Sequence, residues 1–326
     1  MTRLSKSKTT LLFIAFLLFL SSVTIVDADE NTTQIVCTNS ILADFTSNLV
    51  KENVSIDYIM PSGVCPAYYD TTPSDVSKIL DADIIISFGS STMEPWLSDL
   101  LEYNENYSLI ECKDMGEWNI PSGAKSFVQY IAEQLSEILP DQNETINSNA
   151  EAYLLEIDQM AETLKNSIEI KGYSNEKIIT MSWQKDFLEW LGLNVTYFYG
   201  PPQGLSAQDQ LNVINASNQD DVSVIVDNLQ SGTDFGARVA SESGASHVIF
   251  TNFPGAIPGT DTYLEMIEYN TEQLIKGIET YEYKQGEINT LQGQIDDLET
   301  QRNVSLSLVA IFAVLSIVIY VLYKKK

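Results

Sequence analysis

Short apolar segments alternate with helix-like segments along most of this chain, and the alternation stops once and then restarts. The interruption is residues 143–170, where apolar residues recur every three or four positions with few helix-breaking residues. An alternation of this kind predicts a parallel sheet covered by helices, once before the interruption and once after it. The chain is therefore expected to be an α/β protein with two lobes joined by one long helix.

The predicted strands are runs of five or six residues rich in Ile, Val, Phe and Tyr. They are Gln34–Thr38, Ser55–Met60, Asp83–Phe88 and Tyr107–Glu111 in the first lobe, and Lys177–Ser182, Asn194–Tyr199, Val222–Asp227 and Ser246–Thr251 in the second. The predicted helices are Ile41–Lys51, Pro73–Leu80, Pro95–Leu101, Lys125–Leu139, Gln184–Leu191, Ala207–Ala216, Asp234–Ser243 and Tyr263–Glu279.

Both ends of the chain carry apolar segments. Residues 1–28 have a basic start, an apolar stretch and a small-residue cleavage site, which predicts a signal peptide; an uncleaved anchor is the alternative. Val304–Tyr323 is apolar, free of charge and long enough to cross a bilayer. Lys324–Lys326 follow it, and basic residues favour the cytoplasmic side, so both lobes are expected outside the cell.

A polar segment, Glu287–Arg302, precedes the apolar run. Ile288, Leu291, Ile295 and Leu298 recur in it at heptad-like steps, which predicts a short helical stalk with the pattern of a weak coiled coil. The predicted organisation is a signal peptide (1–28), an N-terminal lobe (33–140), a linking helix (141–172), a C-terminal lobe (173–280), a helical stalk (281–303) and a transmembrane anchor (304–323).

Charge limits the partners of this chain. It has 45 acidic and 18 basic residues and a formal net charge of −27, which argues against nucleic acid and anionic lipid as partners. Glycosylation sequons begin at Asn31, Asn53, Asn106, Asn143, Asn194, Asn215 and Asn303. With the signal peptide and the anchor, they favour an exported glycoprotein, single-pass in the cell membrane, in the style of an archaeal surface protein.

Catalytic motifs are missing from the sequence. Its one histidine, His247, is predicted at the start of a strand, and no Ser/His/Asp or Cys/His arrangement, Gly-rich phosphate loop or HExxH motif accompanies it. We therefore predict that the protein is not an enzyme.

The segment Pro61–Asp75 is long for a loop between a strand and a helix, and such loops hold ligands in open α/β sheets. Residues in this segment and elsewhere match the signature positions of one protein family. In the segment they are Pro61, Gly63, Pro66, Tyr69, Thr72, Pro73, Ser74 and Asp75; elsewhere they are Ser40–Asp44, Ala82, Asp83, Gly89, Glu94–Leu97, Leu193 and Tyr263–Asn270. With these residues the chain resembles the metal-specific, zinc- and manganese-type solute-binding receptors of ABC transporters over about residues 33–278.

The resemblance implies a membrane-anchored extracellular receptor that captures a metal ion in the cleft between its lobes. It also implies delivery of that ion to an ABC permease and its ATPase, with little lobe motion because the linking helix is rigid. The positions of the family's metal ligands are Ala67, Gly116, Met181 and Asn252 here, and none is a usual zinc ligand. The competing hypothesis is a structural or adhesive surface protein on a scaffold that no longer binds metal.

Sulfur-containing residues lie near those positions. We predict a metal site formed by Cys65, Cys112, Met181 and Asn252. Its transition metal would be a soft ion such as Cu(I), or zinc or manganese as the family implies. The alternative is that the sulfur residues fill the core, or that Cys65 and Cys112 form a disulfide.

The sequence leaves two other possibilities for the cleft between the lobes. The first is an oxygen-rich site drawn from Tyr68, Tyr69, Asp70, Asp114, Asp227 and Asn252. The second is a small organic ligand, or an aromatic plug, between Trp118 and Trp183.

Overall fold

The computed structural model describes residues 32–113, 115–219 and 221–325. The predicted signal peptide lies outside these residues, as does Asp114. The described part of the chain forms two α/β lobes, which confirms the predicted fold class.

The first lobe is built on a parallel sheet with the strand order β2-β1-β3-β4. Its elements are β1 (Thr33–Cys37), α1 (Ser40–Leu49), β2 (Val54–Tyr58), α2 (Pro73–Leu80), β3 (Ile84–Ser87), α3 (Leu97–Leu101), β4 (Ser108–Glu111) and α4 (Pro121–Ile138). Helix α4 begins four residues before its predicted start, because Pro121 is suited to a first helical turn, where its missing N–H costs nothing.

The second lobe repeats this topology with the strand order β6-β5-β7-β8. Its elements are β5 (Lys177–Met181), α6 (Lys185–Trp190), β6 (Asn194–Tyr199), α7 (Ala207–Gln219), β7 (Val224–Asn228), α8 (Asp234–Ser243) and β8 (Ser246–Phe250). The linking helix α5 (Asn143–Lys171) ends at Gly172, whose φ of 77° suits a glycine.

Two hydrophobic cores stabilise the molecule. The larger core runs from both faces of the first sheet, along α4 and α5, to one face of the second sheet, where it includes Val224 and Val226. The smaller core lies on the other face of the second sheet, under α7 and α8, and includes Ile225. Alternate residues of β7 point to opposite faces, and the strand is buried along its whole length, with Val224, Ile225 and Val226 as its apolar part.

The last helix, α9, is longer than predicted. It runs without a break through Tyr263–Lys324, 62 residues, and so joins the predicted closing helix, stalk and anchor. Its first turns are buried against β8 and α5, whereas its side chains from residue 282 onward are mostly exposed. In the described part of the chain it is the one helix long and apolar enough to cross a membrane.

The α8–β7 contact provides a stability prediction. Gly236 of α8 lies against the buried carboxylate of Asp227, and a Cβ at this position would overlap its oxygens. We expect Gly236→Ala to lower the free energy of unfolding by about 1–3 kcal/mol, the usual cost of overpacking. Urea denaturation measures this. Gly204→Ala is the matched control, because its Cβ would meet no atom within 4 Å, and an equal loss in both variants would contradict the expectation.

Candidate ligand cleft

A cavity of about 450 Å³ lies between the two lobes. Its first-lobe wall comes from loops that follow β2, β3 and β4, and it includes Cys65, Tyr68, Met93, Glu117 and Trp118. The carboxyl ends of parallel strands meet at one edge of a sheet, which explains why these distant residues share one wall.

The second-lobe wall is formed in the same way by loops that follow β5 to β8. It includes Trp183, Asn228, Gln230, Asn252 and Phe253. The two lobes present the same edge of their sheets to each other, so a ligand in this cavity would contact both.

The loop singled out by its sequence is held in place by its own motif residues. Pro66–Tyr68 forms a short 3₁₀ turn, and Trp96 Nε1 donates a hydrogen bond of 3.0 Å to Pro66 O. The Tyr69 hydroxyl donates to Asp75 Oδ2 at 2.7 Å, and the same carboxylate accepts from the Thr72 backbone at the start of α2. These residues therefore position the loop, and Asp75 acts as a helix cap.

Trp118 links the two lobes across the cavity floor. Its ring stacks on Phe88, with centroids 4.7 Å apart and planes 15° apart, and it also packs against Phe253 at 5.7 Å. Its Nε1 donates a hydrogen bond of 2.9 Å to Asn252 O. Since Trp118 is 8% exposed, it forms a fixed floor.

The side-chain amides of the second wall are occupied by protein partners. Gln184 Nε2 donates to Asn252 Oδ1 at 3.0 Å. Gln230 Oε1 accepts from Asn228 Nδ2 at 3.0 Å, and Gln230 Nε2 donates to Ser62 O of the first lobe at 2.8 Å. This network orders the loops and ties the lobes together.

The structure places the four predicted metal-site residues in three different surroundings. Cys65 and Asn252 line the cavity. Cys112, 3% exposed, belongs to the larger core, where burial raises the pKa of its thiol well above the ordinary value. Met181 is fully buried in the smaller core. Neither Cys112 nor Met181 is among the described residues that line the cavity, and the four-residue site stays a prediction.

All three cysteines are free thiols, so the structure contains no Cys65–Cys112 disulfide. Burial raises the pKa of Cys37 to about 12, which keeps its thiol protonated at neutral pH. A protonated thiol is a poor metal ligand. Cys65, which is half-buried in the cavity wall, is therefore the cysteine best placed to contact a solute.

The candidate oxygen ligands are also separated. Tyr68 and Asn252 line the cavity, whereas Tyr69 is bound to Asp75 and Asp70 is exposed. Asp227 is fully buried, 2.8 Å from His247 Nε2, and accepts from the Tyr199 hydroxyl at 2.5 Å. Among the described residues, no group of three or more His, Cys, Asp or Glu side chains is placed to hold a metal ion.

Sequence reasoning missed Glu117 and Met93. Glu117 follows Gly116, a family ligand position, and is the single charged side chain among the described residues that line the cavity. Burial and, to a lesser extent, repulsion from Asp186 raise the pKa of Glu117. Its place after β4, between the ligand position Gly116 and the candidate Trp118, was the available signal.

This architecture defines a class: two parallel-sheet lobes, a linking helix and a cleft walled by strand-end loops form a two-lobed solute-binding protein. A family model described as ZnuA, the periplasmic component A of the zinc-uptake complex, matches residues 35–277. The chain belongs to this family, which confirms the resemblance found in its sequence.

Curated relatives cover nearly the same region. The manganese-binding lipoprotein MntA of Halalkalibacterium halodurans is 24% identical over 270 residues, which are 75% of this chain and 88% of the relative. The iron ABC transporter substrate-binding lipoprotein MtsA of Streptococcus pyogenes is 24% identical over 287 residues, which are 77% of this chain and 90% of the relative. At the family level these are transport proteins, not enzymes.

Solved structures share the fold. The Mn-bound periplasmic metal-binding protein from Candidatus Liberibacter asiaticus has a TM-score of 0.66 and 19% identity, covering 76% of this chain and 99% of the other. A crystal structure of ZnuA has a TM-score of 0.63 and 18% identity, covering 74% and 97%. Each covers about three quarters of this chain.

Proposed function

We propose that this protein is a membrane-anchored solute-binding receptor outside the cell, which captures a solute between its lobes and delivers it to an ABC permease and its ATPase. One observation carries the proposal: the cavity is walled by the loops that follow β2 to β8, so both lobes contact whatever it holds. The lobes are linked by α5 and by hydrogen bonds such as Trp118–Asn252. Little lobe motion is therefore expected on binding.

The anchor is the apolar end of α9. Its side chains from Val304 to Tyr323 are exposed to the outside of the fold, and Lys324 and Lys325 follow them. An exposed apolar helix of this length is long enough to span the hydrocarbon core of a bilayer, where its apolar side chains are removed from water. The relatives named above are lipoproteins, and in this chain the helix would serve in place of a lipid.

Removal of the apolar helix tests the anchor. We expect a chain that stops after Asn303 to leave the membrane fraction without detergent, because nothing apolar of spanning length remains in α9. Immunoblotting of membrane and soluble fractions after an alkaline wash measures this. A chain that lacks only Lys324–Lys326 is the control and should stay in the membrane. Retention of the shorter chain would point to an uncleaved N-terminal anchor instead.

Metal ions are the first class of solute to test, because the names of the relatives describe them as manganese-binding or iron-transport proteins. The predicted donors on the cavity wall are the Cys65 thiol and the Asn252 amide, and Glu117 and Met93 add a carboxylate and a thioether. Calorimetric titration of the full chain with Mn²⁺, Zn²⁺ and Cu⁺ in reducing buffer, with Cys65→Ser as the variant, tests this set. A metal that binds at micromolar concentration and is lost in Cys65→Ser would support metal transport.

The structural or adhesive protein is the second candidate. The observation that favours it is the lack of a converging His, Cys, Asp or Glu group among the described residues. The two candidates differ in one measurement: a receptor changes its unfolding temperature when its solute is added. A chain that binds neither metal ions nor organic solutes would contradict the receptor proposal.

A further inference from the structure

We infer that the cleft takes a small organic cation of the alkylammonium class. This rests on the proposed receptor function and names the class of solute. The cavity volume of about 450 Å³ lies in the range of pockets for small organic molecules, about 300–1,000 Å³. A metal ion held directly by side chains would fill a small part of it, and the remaining wall would have no role.

Four aromatic side chains line this wall: Tyr68, Trp118, Trp183 and Phe253. Tyr68 and Trp183 are exposed at 70% and 37%, which leaves their rings free to contact a solute. Trp118 and Phe253 lie below them, buried and packed against each other with ring centroids 5.7 Å apart, and form the floor. The face of an aromatic ring carries negative potential, so the two exposed rings of Tyr68 and Trp183 would attract an organic cation.

The charges agree with this choice. Glu117 is the one acidic side chain on the described wall, and the described wall contains no Lys, Arg or His. Asp186 lies close enough to act on Glu117, so the local potential is negative. Lys185, beside it, is ion-paired with both Asp186 at 3.8 Å and Glu189 at 2.6 Å, so two carboxylates face its one charge. A cation with one positive charge matches this wall, and an anion does not.

The hydrogen bonds narrow the class further. The wall amides of Asn228 and Gln230, and the amide oxygen of Asn252, already have protein partners. An alkylammonium group needs few hydrogen bonds and gains from aromatic contact, so it would leave these bonds in place. The fit is therefore to a compact, weakly hydrogen-bonding cation.

Calorimetry of the full chain in detergent tests the inference with choline as the probe. Its uncharged analogue 3,3-dimethylbutan-1-ol has the same shape without the charge. We expect choline to bind with EDTA present, and the analogue to bind at least about tenfold more weakly. Trp183→Ala should weaken choline binding by about tenfold. Trp190→Phe is the control, since Trp190 stacks on Phe187 outside the cavity and should leave binding unchanged.

The outcomes separate this inference from the receptor proposal. Metal binding without choline binding overturns the organic cation and leaves the receptor in place. Equal binding of choline and its uncharged analogue also overturns the inference, because the charge then has no role. Binding of neither class overturns both proposals.

A different surface supports a second inference: we propose that the stalk pairs with the stalk of a second copy of this chain as a parallel coiled coil. This pairing rests on the membrane anchor proposed above. Ile288, Leu291, Ile295 and Leu298 form one face of α9, and each is 51–64% exposed. Ile at positions a and Leu at positions d is the pattern that favours two parallel strands.

The flanking residues and the anchor identify the partner as an identical copy. In a parallel pair, Glu287 would face Gln292 of the partner subunit and Gln294 would face Glu299 of the partner subunit, so neither contact brings like charges together. Two chains anchored in the same membrane by the same helix also hold these residues at the same height. An unrelated partner would lack this match in register.

Cysteine cross-linking in native membranes tests the pair, in a Cys65→Ala background because Cys37 and Cys112 are buried. Leu298→Cys lies on the proposed seam and Thr300→Cys on the opposite side of the helix. We expect a disulfide-linked dimer from the first variant and little from the second. Adding Leu291→Asp should abolish the dimer. Equal cross-linking at both positions, or none at Leu298→Cys, would overturn the proposal.

Discussion

Trp118→Ala is expected to lower the free energy of unfolding by about 3–5 kcal/mol, the usual cost of removing a buried aromatic side chain. Trp118 is 8% exposed and contacts Phe88, Phe127 and Phe253, so alanine would leave a large void. The change also removes the hydrogen bond to Asn252 O that crosses between the lobes. Urea denaturation measures the loss.

Trp118→Phe is the matched control for this prediction. It keeps a stacked ring on Phe88 and removes the hydrogen bond, so we expect a smaller loss, near the roughly 1 kcal/mol of a single hydrogen bond plus part of the packing. A loss below about 1 kcal/mol in Trp118→Ala would show that the floor of the cleft does not connect the lobes.

Stability is expected to fall by several kcal/mol as the pH rises from about 4 to 8, because of two buried carboxyl groups. Burial raises the pKa of Glu94 from 4.5 to about 7, and burial raises the pKa of Asp44 from 3.8 to about 6. Each group is 9% exposed or less. A raised folded-state pKa means that the folded protein binds the proton more tightly than the unfolded chain, so stability is lost as the pH rises through the folded pKa. Each shift corresponds to about 3 kcal/mol.

Neutral variants test the source of this pH dependence. Glu94→Gln and Asp44→Asn cannot lose a proton, so each should flatten the stability–pH curve by about 3 kcal/mol between pH 4 and 8. Asp44→Asn can still accept from the Tyr153 hydroxyl and the Tyr263 backbone, which Asp44 Oδ2 binds at 3.1 Å each. Glu133→Gln, an exposed substitution, is the control. A slope unchanged in both neutral variants would contradict the prediction.

Much of the fold was predictable because it depends on local patterns. The strands β3 and β7 begin with short runs of Ile and Val that suit a buried parallel sheet. The predicted segments Pro73–Leu80 and Asp234–Ser243 have the bounds seen in the structure. The break between the two lobes was visible in the uninterrupted pattern of α5. The joining of three predicted segments into α9 was not, since nothing in residues 280–286, between the predicted closing helix and the stalk, distinguishes a continuous helix from a short linker.

The cleft was only partly predictable. Cys65 and Asn252 lie on its wall because their loops end strands at the correct edge of each sheet. The predicted partners Cys112 and Met181 also follow or end strands, yet both side chains are buried in hydrophobic cores. In a strand, one residue of shift sends a side chain to the opposite face, and sequence distance to a ligand position does not specify that face. Glu117 and Met93 were missed for a different reason: they lie in loops, where no period indicates which way a side chain points.

By itself the sequence determined the periodicities, and through them two parallel sheets, a linking helix and an apolar end, while its motif residues carried the resemblance to the metal-receptor family. These properties depend on residues close together in the chain, whose spacing sets which face is apolar. Only the tertiary structure decided which side chains meet in the cleft. That outcome depends on how two sheets and their loops pack, and in this chain the packing directs aromatic rings and Glu117 into the cleft while the sulfur atoms of Cys112 and Met181 turn into the cores.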